Sequence, residues 1–180
     1  MVHNEYNPEV AHTFAARLGL VVAGCWLVSF LIVVLNFPSW LSELGYLMGL
    51  MPILIIGKNI RLFRTHVMPL TWWQGLTVAL LAFMGGTLIL TLGQYVYFAY
   101  FDHGLFLSAM QENLENPEME KLMRETGNGP MYSQMTEMVK QMAEMSPRAF
   151  TLNLFTTNVT FAIIFSFICS LFRGVRSNKK

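Results

Sequence analysis

Residues 68–101 read MPLTWWQGLTVALLAFMGGTLILTLGQYVYFAYF, with no Asp, Glu, Lys or Arg among them. A bilayer core asks for about 20 consecutive apolar helical residues, so this stretch is long enough to cross and to tilt or protrude. Its flanks agree. Pro69 marks the start, Trp72 and Trp73 form an aromatic anchor at one end, and Tyr95, Tyr97 and Tyr100 form another at the far end. The span is set at about Trp72 to Phe101. It is read as a helix, because in lipid the backbone has to satisfy its own polar groups. A barrel would need alternating strands of about ten residues, and none stands out.

Working outward, the same reading recurs. Leu18–Ser42, Leu44–Gly57 and Ala149–Phe172 also carry no formal charge. The whole chain of 180 residues is 54% hydrophobic and 13% charged, against about 25% charged in soluble domains. Span one is placed at about Leu18 to Phe37, ended by Pro38-Ser39 with Trp40 at the interface. Its apolar core of about 20 residues exceeds the usual 7–15 of a signal peptide, and Asn36-Phe37-Pro38-Ser39-Trp40 follows instead of a cleavage site. Residues 1–17 precede it as a polar tail or interfacial helix. Span two runs from about Leu41 to Gly57, with a kink expected at Pro52 and a close-packing pair at Gly45 and Gly49. A basic loop, 58–67, follows. Ala82 and Gly86 offer span three a second close-packing face. Ser146-Pro147 opens span four, which runs through residue 172 to a basic, fraying tail at 173–180. Cys25 and Cys169 fall inside spans and read as small buried hydrophobes.

Residues 102–146 form the one sizeable water-soluble part. Asn116-Pro117-Glu118 reads as a cap, a proline at the first helical position and an acid in the first turn. Gly127-Asn128-Gly129-Pro130 stops that helix, and a second is expected from about Met131 to Met145, making a helical hairpin. Four spans put Arg17, Lys58, Arg61, Arg64, Arg173, Arg176, Lys179 and Lys180 on one side. The other side has four basic residues and nine acids. Positive-inside bias then places both termini in the cytoplasm and the hairpin outside it.

The order of features resembles a known family. An apolar hairpin leads to the basic Lys58–Arg64 run, the Trp72-Trp73-Gln74-Gly75 entry and a Tyr-rich exit into Phe101-Asp102; an acidic, Met-rich segment then closes on Met145-Ser146-Pro147. From about Arg17 to Arg176 this is similar to the bacterial integral-membrane family of domain of unknown function 4199. The resemblance implies four spans and a bacterial inner membrane, where the hairpin would be periplasmic. It implies no activity, catalytic residue or cofactor. It hints at a membrane-associated glycosyltransferase as partner.

Met131, Met135, Met138, Met142 and Met145 repeat at spacings that put all of them on one helical face. Thioethers are soft ligands that suit Cu(I). Yet the segment brings no His or Cys beyond His103 at its start, and the stripe spreads its sulfurs along about 20 Å of helix instead of converging them. The stripe therefore reads as a packing face against a hairpin partner, the membrane surface or another protein. Asp102-His103, where span three ends, is the candidate for acid–base chemistry, although neighbours in sequence point about 100° apart on a helix. Gln94 and Asn158 are expected to hydrogen-bond between spans three and four. Lys58, Arg61 and Arg64 would meet anionic lipid or a cytoplasmic partner, or only fix topology. The sequence offers no intramembrane Asp, Glu, Lys or Arg, phosphate loop or zinc pattern, and nothing for nucleic acid. The reading is an all-α membrane protein with four transmembrane helices and an extracytoplasmic helical hairpin between helices 3 and 4. It is a non-enzymatic accessory or scaffold subunit without a cofactor, in the lipid bilayer with a membrane protein partner. The alternative is a small transporter or oligomeric pore for a lipid-like or soft-metal solute.

Overall fold

The computed structural model describes residues 6–171 and builds them from α1 (Pro8–Asn36), α2 (Trp40–Gly49), α3 (Met51–His66), α4 (Trp72–Tyr100), α5 (Leu105–Leu114), α6 (Pro117–Glu125), α7 (Gly129–Ala143) and α8 (Pro147–Ser170). Four helical stretches are long and apolar enough to cross a membrane: α1, α2 with α3, α4, and α8. The architecture is all-helical and multi-pass. The basic tail at 173–180 lies outside the described residues.

The helix starts follow local chemistry. The Asn7 side chain accepts from the backbone N–H of Glu9 and Val10, with Pro8 next. The same Asn-Pro-Glu triplet opens α6, where Asn116 accepts from Glu118 N at 2.9 Å. Residues 8–17 therefore belong to α1 itself, and they are not a separate tail. At about 1.5 Å per residue, its 29 residues reach about 43 Å, past the roughly 30 Å hydrocarbon core. Thr71 and Gln74 form a reciprocal capping box at the start of α4. Ser146 caps α8 through Ala149 N.

α1 and α4 form the centre, with α2 against α1, and α8 against α4 and α3. Val22, Trp26, Ala79, Ala82, Phe83, Leu90 and Ala162 meet in the core. Contact between α1 and α4 is close at Gly86, where an added Cβ would stand 2.5 Å from Val22 Cγ1 and 3.3 Å from the Ala23 backbone nitrogen. At Gly45 an added Cβ would stand 2.7 Å from Val33 Cγ2, so α2 lies on the backbone of α1.

Span two breaks at Leu50, not as a single kinked helix. Pro52 has no N–H to donate, and Ile53 N bonds Leu50 O instead of the carbonyl four residues back. After the break, α3 continues to His66, so the run expected as a basic loop is helical. No proline interrupts it before Pro69, and Ile60 and Phe63 are buried while Lys58 and Arg61 face out.

Residues 102–146 hold three helices where a two-helix hairpin is expected. The additional one, α5, begins at Gly104 in the left-handed region (φ 83°). It packs on α7 through buried Leu114 and Val139, and the Tyr132 hydroxyl donates to the Leu114 carbonyl. A second apolar cluster joins this unit to the spans. Val34, Phe98 and Phe150 form it, and Phe106, Leu107 and Met142 pack against it.

Candidate functional site

The break at Leu50 shapes the bundle. Ile53 leaves Gly49 O without its helical donor, and the Trp26 indole Nε1–H donates to it at 2.9 Å. One turn back, Ser29 Oγ donates to Gly45 O at 2.7 Å. These two bonds hold α2 on α1. Below the break, α3 meets α8, where the Cys169 thiol donates to Ile53 O at 3.3 Å. Above it, α2 and α8 are the walls of an open cleft of about 330 Å³, floored by α1 and α4. Trp26, Phe30, Tyr46, Phe161 and Phe165 supply its aromatic surface.

Gln94 and Asn158 meet in that cleft. Asn158 Nδ2 donates to Gln94 Oε1 at 3.0 Å, and Gln94 is only 5% exposed. In lipid an amide is costly without a partner, so each side chain gives the other one half of its need.

The methionines of the stripe divide. Met131 and Met138 are each 57% exposed, Met135 is also exposed, and Met142 alone turns toward the Phe98 cluster. α7 ends at Ala143, short of the expected Met145, which is exposed in the turn that follows. The face of α7 that this chain covers is Tyr132, Thr136 and Val139, the last only 3% exposed. The seam is thus not the packing face of its sister helices. On α6, Leu122 is exposed as well.

Asp102 and His103 do different things. Asp102 is buried, and its two carboxylate oxygens accept from Gly104 N and Phe106 N, each at 3.1 Å, which caps α5. His103 is exposed, with a left-handed backbone (φ 47°). The carboxylate is held by these backbone donors, with the Tyr97 side chain as a further hydrogen-bond partner, and its role here is to start a helix.

The basic residues divide too. Lys58 and Arg61 are exposed. The Arg64 guanidinium lies over Gly75 in the first turn of α4, where a Cβ would collide with it. The glycine of the Trp72-Trp73-Gln74-Gly75 entry was the available signal for this contact. A larger open groove, about 710 Å³, separates the first turns of α1 from the end of α3, with Glu9, Arg17, Asn59 and His66 along it. Among the described residues, no three of His, Cys, Asp and Glu gather as a metal site would require.

A family described as a protein of unknown function, DUF4199, matches residues 17–173. No curated protein and no solved structure matches the chain.

Proposed function

The chain belongs to the DUF4199 family, and we propose that it is a non-enzymatic accessory or scaffold subunit that acts by holding a membrane protein partner. The observation that carries this reading is the uncovered seam on α7. Met131, Met135 and Met138 are exposed on a helix whose adjoining face, Tyr132, Thr136 and Val139, is already packed, and Met145 is exposed just past the helix end. Methionine is unbranched and polarizable, and it is over-used at adaptable binding surfaces. Apolar area of this kind is stabilised by being covered. Lys58 and Arg61, at the opposite end of the spans, are the second contact surface, toward anionic headgroups or a cytoplasmic partner. The proposed setting is a bacterial inner membrane, both termini cytoplasmic, with α5, α6 and α7 in the periplasm. The charge distribution supports that orientation.

The transport reading has the cleft in its favour. Against it, the polar lining stays in the half above Leu50, and packed Val22, Ala79, Phe83 and Ala162 form the core of the bundle. Soft-metal transfer would use the same methionines, but in single file along the helix.

Affinity isolation from native membranes in mild detergent tests the accessory reading. The wild-type chain should bring down one defined membrane protein, and the Met131→Gln/Met135→Gln/Met138→Gln variant should lose it while reaching the membrane at the same level. A wild-type chain recovered alone as a monomer contradicts the reading.

A further inference from the structure

We propose that the cleft between α2 and α8 binds an uncharged membrane amphiphile, a lipid whose apolar chain carries a neutral carbonyl or hydroxyl head. The site is separate from the α7 seam and stands whether or not the partner reading does.

The cleft is built, not left over. Trp26 and Ser29 fix α2 to α1, and the break at Leu50 keeps α2 apart from α8 while α3 closes on α8 below. Its volume of about 330 Å³ is at the lower end of the roughly 300–1,000 Å³ typical of small-molecule pockets. That holds a head and part of one chain.

The head is specified by the amide pair. Among the described residues, Gln94 makes one side-chain hydrogen bond, through Oε1, and Asn158 makes one, through Nδ2. Gln94 Nε2 is left as a donor and Asn158 Oδ1 as an acceptor. The Tyr46 hydroxyl, on the opposite wall, can do either. A carbonyl would take the Gln94 donor, and a hydroxyl would satisfy both amides. No Asp, Glu, Lys or Arg lines the cleft, so a phosphate entering it would find no counter-charge. Depth agrees with this. Gln94 lies six residues before the end of α4 at Tyr100, about 9 Å of helix below that outermost tyrosine. A charged headgroup stays at the interface, whereas a neutral head can descend to that level. The aromatic walls suit an apolar chain, or a flat ring, entering sideways from the bilayer.

Photolabelling of the full chain in lipid nanodiscs tests this. The probes are a diacylglycerol and a phosphatidylglycerol that carry the same diazirine-bearing acyl chain. The diacylglycerol should label peptides around Tyr46 and Phe161 in excess over the exposed Leu92 surface, and the phosphatidylglycerol should not. Leu50→Trp, at an exposed position on the cleft, should fill it and remove the excess. The Gln94→Leu/Asn158→Leu double variant should reduce the excess about fivefold, the effect of one net hydrogen bond. Because it replaces both partners with apolar groups, the bundle should stay folded. Labelling at Leu92 should not change in either variant. Equal labelling of cleft and Leu92 surface, or an excess insensitive to both variants, overturns the site. Equal, variant-sensitive labelling by phosphatidylglycerol overturns the neutral head.

Discussion

Two apolar faces repeat at helical spacing in this chain, on α4 and on α7, and they end in opposite surroundings. On α4, Val78, Ala79, Ala82, Phe83, Gly86 and Leu90 are buried against α1 and α8. On α7, Met131, Met135 and Met138 stay exposed while the chain covers Val139 instead. The difference lies in side-chain size and stiffness. Small residues on α4 let another backbone come within van der Waals contact, which ties that face to a partner fixed by the same fold. Long, flexible thioethers keep a neighbouring backbone away but adapt to many surfaces. Periodicity reveals that a face exists, and residue type indicates what kind of neighbour it suits.

The comparison breaks most directly where α4 lies close on α1. Gly86→Leu should destabilise the bundle by about 3 kcal/mol through overpacking against Val22 and the Ala23 backbone. Gly85→Leu should be close to neutral, since nothing lies within 4 Å of a Cβ there. Unfolding in mixed detergent micelles reads both. Next comes the joint between the two regions. Asp102→Ala should cost about 1–2 kcal/mol as a lost cap. Amide exchange should accelerate at Gly104–Leu107, while His103→Ala should leave it unchanged. Smaller again is the polar link within the spans. A double-mutant cycle on Gln94 and Asn158 should return a coupling of about 0.6 kcal/mol, typical for an interhelical hydrogen bond in a bilayer. The least effect on stability is expected at the seam. Met135→Gln/Met138→Gln should shift unfolding by less than about 0.5 kcal/mol, as surface changes do. A large loss there would mean that α7 is packed after all.

Much of the fold is legible in the sequence because hydrocarbon imposes a strict rule on it. Charge-free length and aromatic ends mark the crossing helices, and Asn116-Pro117 and Ser146-Pro147 mark two helix starts that the structure caps as expected. The Asn7-Pro8-Glu9 start carried the same signal, ahead of the apolar run. Other features depend on tertiary contacts. Pro52 is visible as a perturbation, but where the helix divides depends on which group takes the Gly49 carbonyl that Ile53 leaves free, and that group, Trp26, lies 23 residues away in the chain. α5 starts from a buried Asp102 and a left-handed Gly104, without the Asn-Pro or Ser-Pro mark of its neighbours. The basic run continues as helix because Ile60 and Phe63 have a core to enter. In the candidate sites, Gln94 and Asn158 share a helical face with core residues, so their meeting follows from the spans being neighbours. The cleft beside them does not follow from any local pattern, because the break at Leu50 creates it.

The account rests on the claim that the α7 seam is covered by another protein. A photo-crosslinking amino acid placed in turn at each position from Met131 to Met145 in native membranes tests this most directly. The account predicts crosslinks to one protein partner at Met131, Met135, Met138 and Met145, with gaps at Glu137, Lys140 and Glu144. Crosslinks at the seam to lipid alone, or a uniform pattern without helical period, would contradict it.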